Sequence, residues 1–199
     1  MGIPSVNISF TEKAIQSVQR SQRGIVAMIL KDADSDQNPV TVFGTTDIPT
    51  GLTLDNKYQI ALALMGYVKA PRKIIVYVLP ADAVDYNEAL TYFETERFDY
   101  LVIPTVEEDG KTQEVVSWIK AQRENGKKCK AVLPNTKADA EGIINVTTKE
   151  FKAGENVYSA AEYCARIAGL IAGTPLTISC SFAPLKIGVA TFQPSAWAA

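Results

Sequence analysis

The chain has 199 residues, 47% hydrophobic and 21% charged, which suits one ordinary buried core or one domain with an appendage. A formal charge of −2 argues against electrostatic attraction to nucleic acid or anionic membranes, and the lack of histidine excludes imidazole bases, His-dependent triads and His-ligated metals. Three widely spaced cysteines, Cys129, Cys164 and Cys180, form no CxxC pair, so free thiols in a reducing compartment are expected, not a disulfide framework or zinc site.

The first element is PSVNISFTEKAI at 4–15. Val6, Ile8 and Phe10 alternate with Asn7, Ser9 and Thr11, the period-two pattern of a strand with one buried face. No turn signal follows it. Residues 11–23 are polar and read as a short helix or a tether. The N-terminus lacks the charged-then-apolar layout of a secretory signal, and the longest apolar stretch, near 164–173, is too short and interrupted to span a bilayer.

GIVAMILKD (24–32) predicts a fully buried strand, and VTVFG (40–44) a second, reached through the turn-rich DADSDQNP. Residues 54–68 predict a helix with Asp55 as N-cap and Ile60, Leu64, Met65 and Val68 on its apolar face. KIIVYVLP (73–80) is a β-branched strand. Residues 85–96 place Tyr86, Ala89, Leu90 and Phe93 on one helical stripe, and FDYLVIP (98–104) is a strand stopped by Pro104. Val115, Trp118, Ile119 and Gln122 define a helix over 111–126 that ends at Gly126. KCKAVLP and EGIINVTT read as strands. Ser159 and Glu162 form a capping box for a helix over 159–175, with Cys164, Ile167, Ala168 and Ile171 on its stripe and Leu170 and Ala172 widening it. LTISCSF (176–182) is a possible last strand.

Strand and helix alternate from about 57 to 173. Parallel neighbours need crossover helices, so the expected fold is α/β: a three-layer domain whose largely parallel or mixed sheet is flanked by helices, plus an extended N-terminal arm. The expected organisation is an arm and tether over 1–23, the α/β domain over 24–186 and an atypical tail over 187–199.

The strand ends offer little chemistry. Gly110-Lys111-Thr112 matches the tail of a phosphate-binding loop, but its first glycine position is Thr105, and Glu107, Glu108 and Asp109 would repel phosphate. No GxGxxG or GxSxG motif is present, and Ser179-Cys180-Ser181 lacks a base. Cys164 on an apolar stripe reads as an inert buried thiol. Cys129, between lysines, could carry a lowered pKa or simply begin a strand. Asp82 and Asp85 are a carboxylate pair, or charges complementing a helix start. Gly169 and Gly173 have the spacing of close packing, either of helix on sheet or, at Gly173, of a helix end. No catalytic, cofactor or metal residue is assigned, which leaves an assembly protein.

Four ordered segments carry a resemblance. GIPSVNISF…RGIVAMILKD, NKYQIALALMGYVKAPRKIIVYVL, KCKAVLPNTKADAEGIINVT and YCARIAGLIAGTPLTISCSFAPL resemble the N-terminal portion of contractile-tail sheath proteins of bacteriophages and of phage-like bacteriocins of Gram-positive bacteria. The resemblance covers residues 2 to about 186, and the ending KIGVATFQPSAWAA departs from it. It implies a non-enzymatic, cofactor-free subunit of a virion tail or tail-like particle, assembled in the bacterial cytoplasm. Its implied partners are neighbouring sheath subunits, an inner tail tube protein and a baseplate, with no nucleic acid and no membrane insertion. It also implies that the strand at Val6, Ile8 and Phe10 links subunits by adding to a neighbour's sheet. Pairing of that strand within its own chain, an α/β small-molecule or nucleotide-binding protein, and an adaptor using a sheet edge stay open. Because members of that family usually continue into a further domain and arm, the expected chain is either a truncated or a naturally short form.

Overall fold

The computed structural model describes residues 24–33, 38–153 and 156–184. The strand at Val6, Ile8 and Phe10, the tether at 11–23 and the tail at 187–199 lie outside the described residues.

The continuous apolar run forms β1, Ile25–Asp32, in which only Lys31 is less than fully buried. An eight-residue strand with no polar side must be covered on both faces, and this one is. Its neighbours are β3, Lys73–Pro80, and β4, Tyr100–Val102, both parallel to it. β5, Lys130–Pro134, and β6, Ile143–Val146, continue the parallel set. β2, Val40–Val42, lies antiparallel on the outer side of β3. The order across the six-stranded sheet is β2-β3-β1-β4-β5-β6. Beyond β2, the Asn38 side chain takes the place of a strand residue: its Oδ1 accepts from Val78 N at 2.7 Å and its Nδ2 donates to Val78 O.

The helices are α1, Leu54–Leu64; α2, Asn87–Thr95; α3, Thr112–Glu124; and α4, Ala160–Ala172. Successive strand residues point to opposite faces, and β1 sorts its side chains accordingly. Ile25, Ala27 and Ile29 join Leu90, Phe93, Val115 and Ile119 of α2 and α3 in one core. Val26, Met28 and Leu30 join Ile60, Ala63, Cys164 and Ala168 of α1 and α4 in the other. The result is the expected three-layer mixed α/β architecture. The chain runs from β1 through α1 to β3 on one side, then returns past β1 through α2 to β4 on the other. This is a doubly wound path.

Several sequence expectations need correction. α1 ends at Leu64, not near 68, because Gly66 turns the chain at φ +55° and a Cβ there would lie 1.9 Å from Lys69 O. Val68 therefore leaves the helix and is 47% exposed. The N-cap is Thr53; Asp55 sits inside the first turn, where its charge complements the helix dipole. LTISCSF does not form a strand. It folds into turns closed by Ile178 N to Pro175 O and Ala183 N to Cys180 O, leaving Leu176 82% exposed. Its alternation pairs with no sheet edge, and strand propensity acts only through such pairing.

A hairpin of β7, Glu150–Ala153, and β8, Asn156–Ser159, is a feature that the sequence expectations do not include. It docks through aromatic rings. Phe151 stacks on Tyr163 with centroids 4.0 Å apart, and Tyr158 stacks on Tyr58 with their hydroxyls hydrogen-bonded. The capping box forms as read: Glu162 N donates to Ser159 Oγ at 3.2 Å and Ser159 N to Glu162 Oε2 at 2.7 Å.

Gly169 serves a contact different from the helix–sheet packing anticipated. It lets α4 touch the backbone of α1, and a Cβ added there would lie 1.9 Å from Ala63 O. The obstacle is main chain, which cannot swing aside. Gly169→Ala is expected to lower unfolding free energy by about 1–3 kcal/mol, read as a reduced urea midpoint. Gly44→Ala, where an added Cβ meets nothing within 4 Å, is expected to leave that midpoint nearly unchanged.

Candidate functional site

In a doubly wound sheet, the natural ligand crevice lies beyond the strand C-termini where the winding reverses, here between β1 and β4. In this chain, side chains of the protein itself fill that position. At the end of β1, the Asp32 carboxylate accepts from Ala33 N, Thr53 N, Thr53 Oγ1 and Asn56 Nδ2 at 2.7–2.9 Å. Burial pushes its pKa up, but these donors outweigh burial and hold it below the usual carboxylate value. Asp32 thus ties β1 to the start of α1 and leaves its oxygens no spare role.

One residue earlier, Lys31 Nζ pairs with Asp109 Oδ2 at 2.8 Å, with side-chain exposures of 11% and 26%. Lys31 also lies over the Tyr86 ring, 5.1 Å from its centroid. The Tyr86 hydroxyl donates to Asp109 and is 2.8 Å from Thr105 Oγ1. Burial, then the bond to Asp109, pushes the Tyr86 phenol far up, so it stays a donor. Asp109 also feels burial first, which raises its pKa. The bonds from Lys31 and Tyr86 reverse that and leave it lowered.

The residues singled out from sequence distribute as follows. Gly110 makes the turn at φ +65°, and Lys111 pairs with Glu114 at 3.1 Å. The Gly-Lys-Thr stretch therefore starts α3 and does not cradle a phosphate. Its acidic turn is solvated as expected, with residues 107–110 exposed, while Asp109 also pairs with Lys31. Asp85 accepts from Asn87 N at 3.0 Å at the start of α2, the helix-start role, while Asp82 is exposed on the preceding loop. Cys129 is buried just before β5, and burial raises its thiol pKa despite Arg123 and Lys127, which overturns the lowered-pKa option. Cys164 donates to Ala160 O at 3.2 Å, and burial pushes its thiol up to about 12. Ser179 Oγ accepts from Ser181 N at 3.1 Å, a local turn bond.

Two clefts among the described residues lie at the opposite end of the strands. One of about 380 Å³ is lined by Gly24, Arg72, Tyr100 and residues 171–176; another of about 380 Å³ lies between 95–99 and 126–129. Neither adjoins the winding reversal. Among the described residues, no group of three or more Cys, Asp or Glu could hold a metal, and no helix is long and apolar enough to cross a membrane.

The sequence reading missed two features. The Lys31–Asp109–Tyr86 network joins residues far apart in sequence, and nothing in the local pattern marks it. Asp99 was passed over inside FDYLVIP, yet its Oδ2 accepts from Gly24 N at 2.7 Å and Ile25 N at 3.0 Å. A lone carboxylate immediately before a buried strand was the available signal.

With the expected enzyme crevice filled, comparison with known proteins decides the family. Residues 80–191, more than half of the chain, match the family model for the phage tail sheath protein central domain. The chain belongs to the phage tail sheath family. Its match runs past residue 186, where the sequence resemblance was placed to end. The chain is 40% identical over 190 residues to the tail sheath protein of Clostridium phage phiCD119, covering 92% of this chain and 52% of that one. It therefore spans about half the length of that sheath relative. The fold resembles the crystal structure of the sheath tail protein from Desulfitobacterium hafniense, with TM-score 0.68, 18% identity, and coverage of 88% of this chain and 64% of that one. It also resembles the sheath tail protein of Listeria innocua, with TM-score 0.69, 16% identity, and coverage of 85% and 61%.

A pH dependence follows from the Lys31–Asp109 pair. Asp109 is lowered from 3.8 in the folded chain, so its contribution is full above that unfolded value and is lost as pH falls through the folded one. Asp109→Asn is expected to cost about 1 kcal/mol at pH 7, since the pair is partly open to solvent, with the gap to wild type closing as pH falls below the unfolded value of 3.8, measured by urea unfolding across pH. Thiol chemistry gives a second check. At pH 8 in the native state, labelling followed by peptide mass spectrometry is expected to modify Cys180, while Cys129 and Cys164 react only on unfolding.

Proposed function

We propose that this chain is a structural subunit of a contractile phage tail sheath, polymerising around an inner tube and contracting to drive that tube through a target envelope. The family match over 80–191 carries the reading. The filled crevice at the winding reversal supports it, because the position where this fold class usually holds a nucleotide is occupied by Lys31, Asp32, Tyr86 and Asp109. The partners of this subunit are neighbouring sheath subunits, a tube protein and a baseplate, in a virion tail or tail-like particle assembled in the bacterial cytoplasm.

In this reading, residues 24–186 form the rigid body and 1–23 form a linking arm. Val6, Ile8 and Phe10 present one apolar face to a second copy, while the backbone of the same strand joins that copy's sheet edge. Such a link keeps subunits connected while their bodies rotate, since the polar stretch at 11–23 absorbs the change of angle.

The test is assembly of the full chain observed by negative-stain microscopy. Wild type is expected to form rings or tubes. The Val6→Asp, Ile8→Asp double variant is expected to remain folded by circular dichroism and to form none, because each carboxylate would enter an apolar pocket without solvation. Tubes from the double variant would overturn the arm. A wild type that forms no ordered assembly, even with its tube protein, would overturn the sheath-subunit reading.

A further inference from the structure

The point where the chain joins the sheet is built unlike the starts of the other strands. Gly24 sits at φ +118° beneath the end of α4, and a Cβ there would lie 2.6 Å from Ala172 O. Its N–H and that of Ile25 both donate to the Asp99 carboxylate, at 2.7 and 3.0 Å. Its carbonyl accepts from Arg72 N at 2.9 Å, which reaches the start of β3. Asp99 N donates to Ile25 O at 2.9 Å, and Asp99 O accepts from Lys130 N at 2.9 Å, which reaches the start of β5. A row of hydrogen bonds thus runs across the strand starts β3-β1-β4-β5, with Gly24 and Asp99 at its centre. Two of its bonds are charge-assisted, the stronger kind.

Behind that row, β1 is held in register along its whole length, from Ile25 opposite Lys73 to Asp32 opposite Pro80, and on its other side by Val26–Met28 against β4. A pull on residue 24 along the strand axis loads these ladder bonds in shear, so they share the force. A sideways pull would open them one at a time. Asp99 fixes the backbone of Gly24 and Ile25 at the strand start, so a load entering through Gly24 in line with β1 meets the ladder in shear.

We propose that the Gly24–Asp99 joint is a force-bearing anchor that passes tension on residues 1–23 into the sheet as shear along β1. The proposal rests on the reading of 1–23 as a link to a second copy, which would put that segment under load when neighbouring bodies move. Asp99 is then a positioning residue for the arm and plays no part in contact with the partner.

The experiment is an optical-trap measurement on the full chain, held between handles at the N-terminus and at Glu108, on the exposed loop after β4. A second geometry, Glu108 and Lys137, bypasses Gly24. Asp99→Ala is expected to raise the rupture rate at constant tension at least ~10-fold in the N-terminal geometry and little in the second, given the loss of two charge-assisted bonds. Asp99→Asn keeps the shape and a neutral acceptor, and is expected to fall between. Equal acceleration in both geometries, or none in the N-terminal one, for Asp99→Asn as well as Asp99→Ala, overturns the anchor. The trap needs no assembly, so failure of the anchor appears there and failure of the arm appears in the microscopy of the Val6→Asp, Ile8→Asp variant.

Discussion

Burial of β1 on both faces is the constraint from which the rest of the molecule follows. A strand of Ile, Val, Ala, Met and Leu with no polar side requires a helical layer above and another below. It also requires hydrogen-bonding neighbours on both edges, which β3 and β4 supply in parallel. Parallel neighbours in turn require crossovers, and α1 and α2 provide them on opposite faces. The two cores are therefore the two sides of one strand extended outward, and the reversal of winding falls beside it.

What occupies that reversal is a set of the protein's own polar side chains. The fold leaves a crevice there by geometry, and function depends on which side chains enter it. Here, one carboxylate is saturated by backbone and hydroxyl donors, and a Lys–Asp–Tyr network occupies the adjoining space. Each polar group has a partner in the same chain, which gives stability and removes the reactive poise that a catalytic group needs.

The strands and helices with long periods were readable because burial writes itself into spacing. Tyr86, Ala89, Leu90 and Phe93 lie in the core as their stripe requires, and Ser159 with Glu162 caps α4. The misreadings have physical causes. α1 stops early because a backbone turn at Gly66 outranks the apolar residue beyond it. The 176–182 segment alternates like a strand but finds no partner. Lys31 and Asp109 gave no sign of their pairing because it depends on the path of the chain between them, and Gly169 looked like a sheet contact because spacing cannot say which backbone approaches. Aromatic docking of the β7–β8 hairpin onto α1 and α4 was likewise hidden, since it pairs rings from separate elements.

The side-chain amide of Asn38 bears on how such a molecule behaves in a crowd. An uncovered sheet margin invites any passing strand, and a subunit stored at high density meets identical margins constantly. By satisfying both main-chain groups of Val78, and with β2 paired to those nearer the strand start, the chain denies a passing strand this stretch of β3.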